Sequence, residues 1–430
     1  MAKILLKNGE VYTDGRIVRA DVAVADATIE KVGEVGADWA ADRVIDCTEK
    51  LIMPGFVNTH THAAMTLFRS YADDMALMDW LQTKIWPAEA GLTGEDVYWG
   101  TLLAIAEMLK GGTTAFADMY FFMDDVARAV AESGIRAALA RGMAGVAPTA
   151  QQALTESEAF YRDWHGGADG RITVMLGPHA PYTCPPDYIK KVTALAARLG
   201  AEIHIHLAET KGEVEGCLKD HGKSPIALMD SLGLFDFGVL AAHCVHLSEA
   251  DIATLQAKKV RVAHNPGSNM KLASGIAPVP ALLAAGVCVG LGTDGAASNN
   301  NLDMVEELRL AAFLHKVSSL DPLAIPAAQA VDMATAQGAA VLGLGSVTGR
   351  LAAGYKADIT VFDMSATHWY PRHDRLSLLT YAASAADVHT VLVDGKVLLD
   401  AGRLTTIDEE RLKHEANARG LRLVKTGSNA

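Results

Sequence analysis

The sequence lacks the runs and clusters that mark several classes of protein. No apolar run approaches the roughly 20 residues that a membrane-spanning helix requires, and the opening MAKILLKNGE lacks the pattern of a signal peptide. Lysine and arginine form no long run, and a formal net charge of −13 argues against nucleic acid or an anionic membrane as a partner. We therefore expect a cytoplasmic protein that contacts neither a membrane nor nucleic acid.

Cysteine is scarce and shows no pairing pattern. The five cysteines lie far apart, form no CxxC motif and are odd in number. They are typical of reduced, mostly buried thiols rather than of a disulfide framework. Cys184 and Cys244 lie beside predicted strand ends and could be near a metal, but burial as small core residues is the favoured interpretation.

The chain does contain a recurrent pattern of short apolar runs that end in polar residues. There are eight such runs, most of them separated by helix-like stretches, as expected of parallel strands covered on both faces. In a (β/α)8 barrel the carboxyl ends of the strands converge on the face that carries the active site. The sequence therefore predicts an α/β fold of the TIM-barrel type. The polar residues at the run ends are His60, His62, Asp118, Arg141, His179, His206, Glu209, His243, His264, Asn265 and Asp294.

The two ends of the chain have a different pattern, with period-two alternation and turns such as Asn8-Gly9 and Asp394-Gly395. We predict a small, discontinuous β-sandwich domain with a C-terminal helix (1–56 and 350–430) and a barrel domain between its two parts (57–349). The closing helix is predicted over Arg411–Arg419, with Gly420 as its stop. Other helices are predicted over Glu95–Lys110, Asp124–Ser133, Ser248–Lys258 and Asn301–Lys316.

Two histidines in the first run have the spacing of metal ligands. His60 and His62 are two residues apart, so on a strand both imidazoles point to one face. A lone HxH motif is weak evidence, and His204 and His206 form a second one. Further histidines and acids at other strand ends favour a metal site over packed core histidines.

The predicted ligands are His60, His62, His206 and Asp294, a set suited to one divalent ion per chain, zinc or alternatively iron. His206 is preferred to His204 because His-x-x-Glu then places Glu209 just past the strand end. His204, deeper in the strand, is expected to pack or to orient a ligand.

Several segments resemble the amidohydrolase superfamily, in its mononuclear branch of deaminases and chlorohydrolases. PGFVNTHTH, HLAET, AAHCVHL, HNPGSNMKLASG, GLGTDGAASNNNLDM and TGRLAAGYKADITVFD match in order over nearly the whole chain. Binuclear members carry a bridging carbamate on a lysine at the end of strand four, where this chain has His179. The resemblance therefore implies one metal ion.

Within that branch, MDWLQTKIWPAEAGLT is most similar to the 5-methylthioadenosine/S-adenosylhomocysteine deaminases. The resemblance implies that Glu89 accepts hydrogen bonds from the ribose diol and that Arg141 and His179 contact substrate. Each has an alternative interpretation: a solvated acid at a helix start for Glu89, an ion-pair partner for Arg141 and a packed histidine for His179.

The activity implied is metal-dependent hydrolytic deamination at C6 of an adenine nucleoside: methylthioadenosine, S-adenosylhomocysteine or adenosine. The products would be ammonia and the inosyl compound, and the enzyme would be a homo-oligomer. Glu209 would protonate the ring nitrogen, His243 would hydrogen-bond the attacking water, and Asp294 would pass a proton from water to the leaving amine. Glu209 and Asp294 would thus also contact substrate.

Three alternatives remain open at this point. The nearest is a guanine, pterin or cytosine deaminase or a triazine chlorohydrolase, from which the WPAEA loop distinguishes this chain. An imidazolone- or hydantoin-type amide hydrolase would open a ring without releasing ammonia. A catalytically silent scaffold is disfavoured because every ligand position is filled.

Overall fold

The computed structural model describes residues 3–427. Residues 1–2 and 428–430, which the predicted β domain includes, lie outside the described residues. Within 3–427 no helix combines the length and apolarity needed to cross a bilayer.

The strands in chain order are β1 (Lys3–Thr13), β2 (Arg16–Ala25), β3 (Thr28–Gly33), β4 (Arg43–Asp46), β5 (Lys50–Pro54), β6 (Phe56–Thr61), β7 (Thr113–Tyr120), β8 (Arg136–Met143), β9 (Ile172–Pro178), β10 (Ile203–Leu207), β11 (Val239–His243), β12 (Arg261–His264), β13 (Val289–Leu291), β14 (Ile359–Asp363), β15 (Val388–Val393), β16 (Lys396–Asp400) and β17 (Arg403–Leu404).

The helices are α1 (Leu77–Trp80), α2 (Trp86–Glu89), α3 (Gly94–Lys110), α4 (Met123–Ser133), α5 (Ala150–Trp164), α6 (Gly167–Gly170), α7 (Pro186–Leu199), α8 (Lys211–His221), α9 (Pro225–Ser231), α10 (Glu249–Ala257), α11 (Pro266–Lys271), α12 (Val279–Ala284), α13 (Ala296–Asn299), α14 (Met304–Ser319), α15 (Ala327–Ala334), α16 (Ala336–Val341), α17 (Arg375–Tyr381) and α18 (Glu409–Gly427).

Strands β6 to β13 form the predicted barrel. They pair in chain order, and each neighbouring pair is parallel. Hydrogen bonds beside β13 bring its end to β6: Thr293 N donates to Asn58 Oδ1 (3.0 Å), and Asp294 N donates to the His60 carbonyl (2.9 Å). The first and last strands therefore meet at the polar end of the barrel.

The remaining strands form one nine-stranded mixed sheet built from both ends of the chain, as predicted. β14 pairs antiparallel with β5, which joins the late strands to the early ones. Leu6, Val24, Ile52, Ile359 and Leu392 are buried in its core. The predicted boundary between residues 56 and 57 falls after the first residue of β6, and the one between residues 349 and 350 falls between α16 and β14. The division into two domains stays a prediction.

The predicted helices correspond to α3, α4, α10 and α14, with bounds that differ by at most three residues. The predicted stop at Gly420 is wrong. Helix α18 continues through Gly420 to Gly427. A Cβ at Gly420 would lie 2.8 Å from the carbonyl oxygen of Leu67. Glycine occurs here because α18 packs closely against the 3-10 helix Ala63–Phe68, and not because the helix ends.

Candidate active site

A cleft with a cavity volume of about 300 Å³ opens at the carboxyl ends of the barrel strands. Of the nine predicted site residues, the structure places His62, Glu89, His179, His206, Glu209, His243 and Asp294 in its walls. His60 is fully buried beside them, and Arg141 does not line the cleft. The barrel therefore brings together strand-end residues that are far apart in sequence.

The four predicted metal ligands lie in two groups of close ligand atoms that share His60: His60, His62 and His206 in one, and His60, His243 and Asp294 in the other. Nε2 of His60 and Nε2 of His62 each lie 3.4 Å from Asp294 Oδ1, and Nε2 of His62 lies 3.2 Å from Nε2 of His206. Ligand atoms about 2.0–2.1 Å from a tetrahedral ion would be about 3.3 Å apart. His60 Nε2 is buried without a hydrogen-bond partner. Three imidazoles and a carboxylate at these distances fit one divalent ion.

The other ring nitrogen of each imidazole is already engaged. His62 Nδ1 lies 2.6 Å from the Met119 carbonyl, and His206 Nδ1 lies 2.8 Å from the His179 carbonyl. His60 Nδ1 lies 2.8 Å from His204 Nε2. Such contacts fix ring orientation in metal sites, and His204 occupies the orienting position that the sequence predicts.

The carboxylate of Asp294 is held by two serines that the sequence analysis did not single out. Oδ2 accepts from Ser268 Oγ (2.7 Å) and Ser298 Oγ (2.8 Å), and Oδ1 accepts from the Gly295 N–H (2.8 Å). Burial alone would raise the pKa of Asp294, but His60 and His62 outweigh it and hold this pKa well below its usual value. The carboxylate is therefore ionised, as a ligand must be.

Glu209 and His243 face each other beside this cluster, with Oε2 and Nε2 3.9 Å apart. Burial raises the pKa of Glu209 despite opposing contributions from His243 and the Ser274 hydroxyl. His243 Nδ1 lies 2.9 Å from Asn269 Oδ1 and 3.3 Å from Asn265 Nδ2, and these two contacts hold the ring in place. The pair thus offers a carboxyl group that can hold a proton and an imidazole Nε2 directed toward it.

His243 and Asp294 have a left-handed backbone conformation, which is uncommon outside glycine. The φ angle is 73° at His243 and 62° at Asp294. Such conformations cost about 1–3 kcal/mol and cluster at functional sites. Side-chain pattern alone did not reveal this feature.

Glu213 is a further residue that sequence reasoning missed. Its carboxylate accepts from the backbone N–H groups of Ala208 (2.9 Å) and Glu209 (2.8 Å), which fixes the segment carrying Glu209. The sequence contained a sign of this role, because Thr210-x-x-Glu213 matches the sequence pattern of a capping box. Thr210 does cap α8, but the Glu213 carboxylate reaches back to Ala208 and Glu209.

The predicted substrate residues differ in their placement. Glu89 Oε1 accepts from the Tyr120 hydroxyl (2.6 Å), and burial raises the pKa of Glu89 to about 7. His179 Nδ1 lies 2.9 Å from Thr183 Oγ1, and its ring borders the cleft. Arg141 is instead paired with Glu156, as in its alternative interpretation. Substrate contact by these three residues stays a prediction.

Cys184 and Cys244 are both buried. The Cys184 thiol donates to the Met143 carbonyl (3.1 Å), and burial raises the pKa of Cys244. The clusters of described residues that could hold a metal contain only histidine and aspartate. This arrangement agrees with the favoured interpretation of these cysteines as core residues.

Comparison with known proteins gives three results. The sequence model of the amidohydrolase family matches residues 51–398. The chain is 56% identical over 431 aligned positions, covering 99% of each chain, to a protein of Pelotomaculum thermopropionicum named 5-methylthioadenosine/S-adenosylhomocysteine deaminase. It is 37% identical, with a TM-score of 0.94 over 98% of each chain, to an adenosine deaminase of Xanthomonas campestris crystallised with bound zinc.

A more distant structural neighbour is an atrazine chlorohydrolase of Arthrobacter aurescens. It has a TM-score of 0.90 and 24% identity, over 97% of this chain and 100% of the other. At this identity the likeness shows the common fold alone.

Proposed function

This chain belongs to the amidohydrolase family, and we propose that it is a metal-dependent deaminase that removes the 6-amino group of adenine nucleosides, with 5′-methylthioadenosine and S-adenosylhomocysteine as its substrate class. The observation that carries the proposal is the position of Glu209 and His243 beside the histidine–aspartate cluster, in a cleft that Glu89 also lines. The name of the relative at 56% identity supports the same substrate class.

We propose zinc as the ion, held by His60, His62, His206 and Asp294. The donor set suits it, and the related adenosine deaminase was crystallised with zinc. When bound, such an ion lowers the pKa of water and supplies a nucleophile at neutral pH. The proposal includes one ion per chain.

The protein's own groups would handle the protons. The raised pKa of Glu209 lets its carboxyl group carry a proton to the ring nitrogen, which makes C6 more electrophilic. His243 would bind the oxygen that becomes bonded to C6. Asp294, which is ionised, would accept a proton from water and pass it to the departing amine.

The rival substrates find less support. The triazine-hydrolysing neighbour shares the fold at 24% identity, whereas the relatives at 56% and 37% are both named as deaminases of adenosine compounds. Ammonia release from methylthioadenosine, S-adenosylhomocysteine, adenosine, guanine and cytosine tests the proposal directly. Faster ammonia release from guanine or cytosine than from every adenosine compound would overturn it. The homo-oligomer and the cytoplasmic location stay predictions.

The position of Glu89 in the cleft leads to a prediction about how the ribose is bound. If its carboxylate holds the ribose diol, 2′-deoxyadenosine should have a kcat/KM about 10–100-fold below that of adenosine, the value of one charge-assisted hydrogen bond. In Glu89→Ala this gap should largely close, because the partner of the missing hydroxyl is gone. Glu95→Ala, at the exposed start of α3 where Glu95 pairs with Arg128, is the control and should keep the gap. A gap that survives in Glu89→Ala would show that Glu89 does not bind the ribose.

A further inference from the structure

Glu307, near the start of α14, has a fully buried side chain that the proposed reaction does not use. Its Oε2 accepts from the backbone N–H of Gly267 (3.0 Å), and its Oε1 accepts from Asn299 Nδ2 (2.7 Å). A Cβ at Gly267 would lie 2.7 Å from Asn299 Nδ2 and closer still to Glu307 Oε1, so glycine is required for this close approach. Glu307 therefore lies at a tightly packed junction between α11, α13 and α14.

Both donors to Glu307 are neutral groups. Burial raises the pKa of this carboxyl group to about 8, although the two hydrogen bonds lower it. Placing a carboxylate in the interior against neutral donors costs stability, and an apolar side chain could fill the space without that cost. Only the ionised form accepts hydrogen bonds at both oxygens without a competing proton. The presence of a glutamate here therefore points to a role for the two acceptor oxygens.

Two dipeptides connect Glu307 to Asp294: Gly267-Ser268 in α11 and Ser298-Asn299 in α13. The glycine and the asparagine donate to Glu307, whereas the two serine hydroxyls donate to Asp294 Oδ2. Glu307 therefore links the two segments whose hydroxyl groups orient the carboxylate of Asp294.

The same two segments also reach other parts of the reaction site. Nδ2 of Asn299 donates to the carbonyl of Thr293 (2.8 Å), the residue before Asp294. Asn269, in α11, contacts His243 Nδ1 through its Oδ1 (2.9 Å). A displacement of α11 relative to α13 would therefore move the groups that orient both Asp294 and His243.

On the basis of the proposed function, we infer that Glu307 is a positioning residue for deamination, which holds α11 against α13 and thereby directs Asp294 and His243 at the reacting atoms. Glu307 is not among the residues that line the cleft, so it acts through these two segments. The proposed proton transfers by Asp294 depend on its distance from the water and the amine. A misplacement of about 1 Å by a residue far from the chemistry can lower the rate about 10²-fold.

The experiment measures kcat and KM for methylthioadenosine at about pH 9, where the Glu307 carboxyl group is mostly ionised, together with bound metal per chain and the melting temperature. Glu307→Gln keeps the size of the side chain but directs an N–H group at one of the two donors. It should lower kcat about 10–100-fold and change KM less than about threefold. The reason is that the hydrogen bonds of Glu307 go to the segments behind Asp294 and His243, and not to those that carry Glu89 or His179. Bound metal should be retained, because all four ligands are still present.

Two further variants make the result specific. Glu306→Gln is the matched control, because Glu306 is the neighbouring acid on α14 and accepts from Asn301 Nδ2 (2.8 Å); it should leave kcat and KM unchanged. Asn299→Ala removes the partner instead of the acid and should lower kcat at least as much as Glu307→Gln. In the double variant the loss should be much smaller than the product of the two single losses, because both changes break one contact. Asn299→Ala also provides the test by itself if Glu307→Gln does not yield folded protein.

Three results would overturn the inference. An unchanged kcat with a lower melting temperature in Glu307→Gln would show a role in stability alone. A loss of bound metal in proportion to the loss of kcat would show that Glu307 maintains metal binding and not the direction of the proton-transferring groups. Losses that multiply in the double variant would show that Glu307 and Asn299 act independently. In each case the proposed function would stand, whereas a wild type that deaminates no adenosine compound would overturn that function and this inference together.

Discussion

Replacing His206 with alanine is expected to remove most of the bound metal and to reduce nucleoside deamination to background. The variant loses one of three imidazoles whose ligand atoms lie within 4.8 Å of one another. The three remaining ligands are the minimum that a catalytic zinc site uses besides its water, and the position left without a protein donor weakens the binding of the ion. Without the ion, the largest source of nucleophile activation is absent.

Elemental analysis of protein purified without chelator should find about one equivalent of zinc or iron per wild-type chain and a small fraction of this in His206→Ala. His368→Ala is a matched control, because His368 pairs with Asp387 in the C-terminal part of the chain and should not alter metal content. Two equivalents in the wild type, or full activity in His206→Ala, would contradict the assigned site.

The barrel and the clustering of its strand-end polar residues could be predicted because both follow from short-range patterns. A parallel strand covered on two faces is apolar along its length, so the first polar residue marks its end. His60, His62, His206 and Asp294 each lie at such an end, and closure of the barrel then brings them together. The period of two in HxH further specified which imidazoles share a face.

Other parts of the site could not be predicted, because they depend on contacts between distant segments. Ser268 and Ser298 reach Asp294 only because α11 and α13 both begin beside the last strand ends. The pairing of Arg141 with Glu156 depends on the packing of α5 beside β8. A strand-end arginine with a free guanidinium and one with an occupied guanidinium have the same local sequence. Gly420 likewise resembles a helix stop until the neighbouring backbone is known.

The contacts of the Glu209 side chain favour a role in proton transfer over a role as a metal ligand. Glu209 is absent from the histidine–aspartate clusters that could hold an ion. Instead its carboxylate contacts the Ser274 hydroxyl and faces His243, while Glu213 fixes its backbone. This arrangement allows the side chain to be neutralised without disturbing the metal ligands.

Glu209→Gln is therefore expected to retain metal while lowering kcat about 10²–10⁴-fold, the usual contribution of a positioned acid–base group. Glutamine keeps the shape and hydrogen bonding of the side chain but cannot give a proton to the ring nitrogen. Glu215→Gln, on exposed α8 where Glu215 pairs with Lys211, is the control and should leave kcat unchanged. Metal content and kcat measured on the same samples decide the role, since loss of both together would make Glu209 a ligand, and unchanged turnover would remove it from the chemistry.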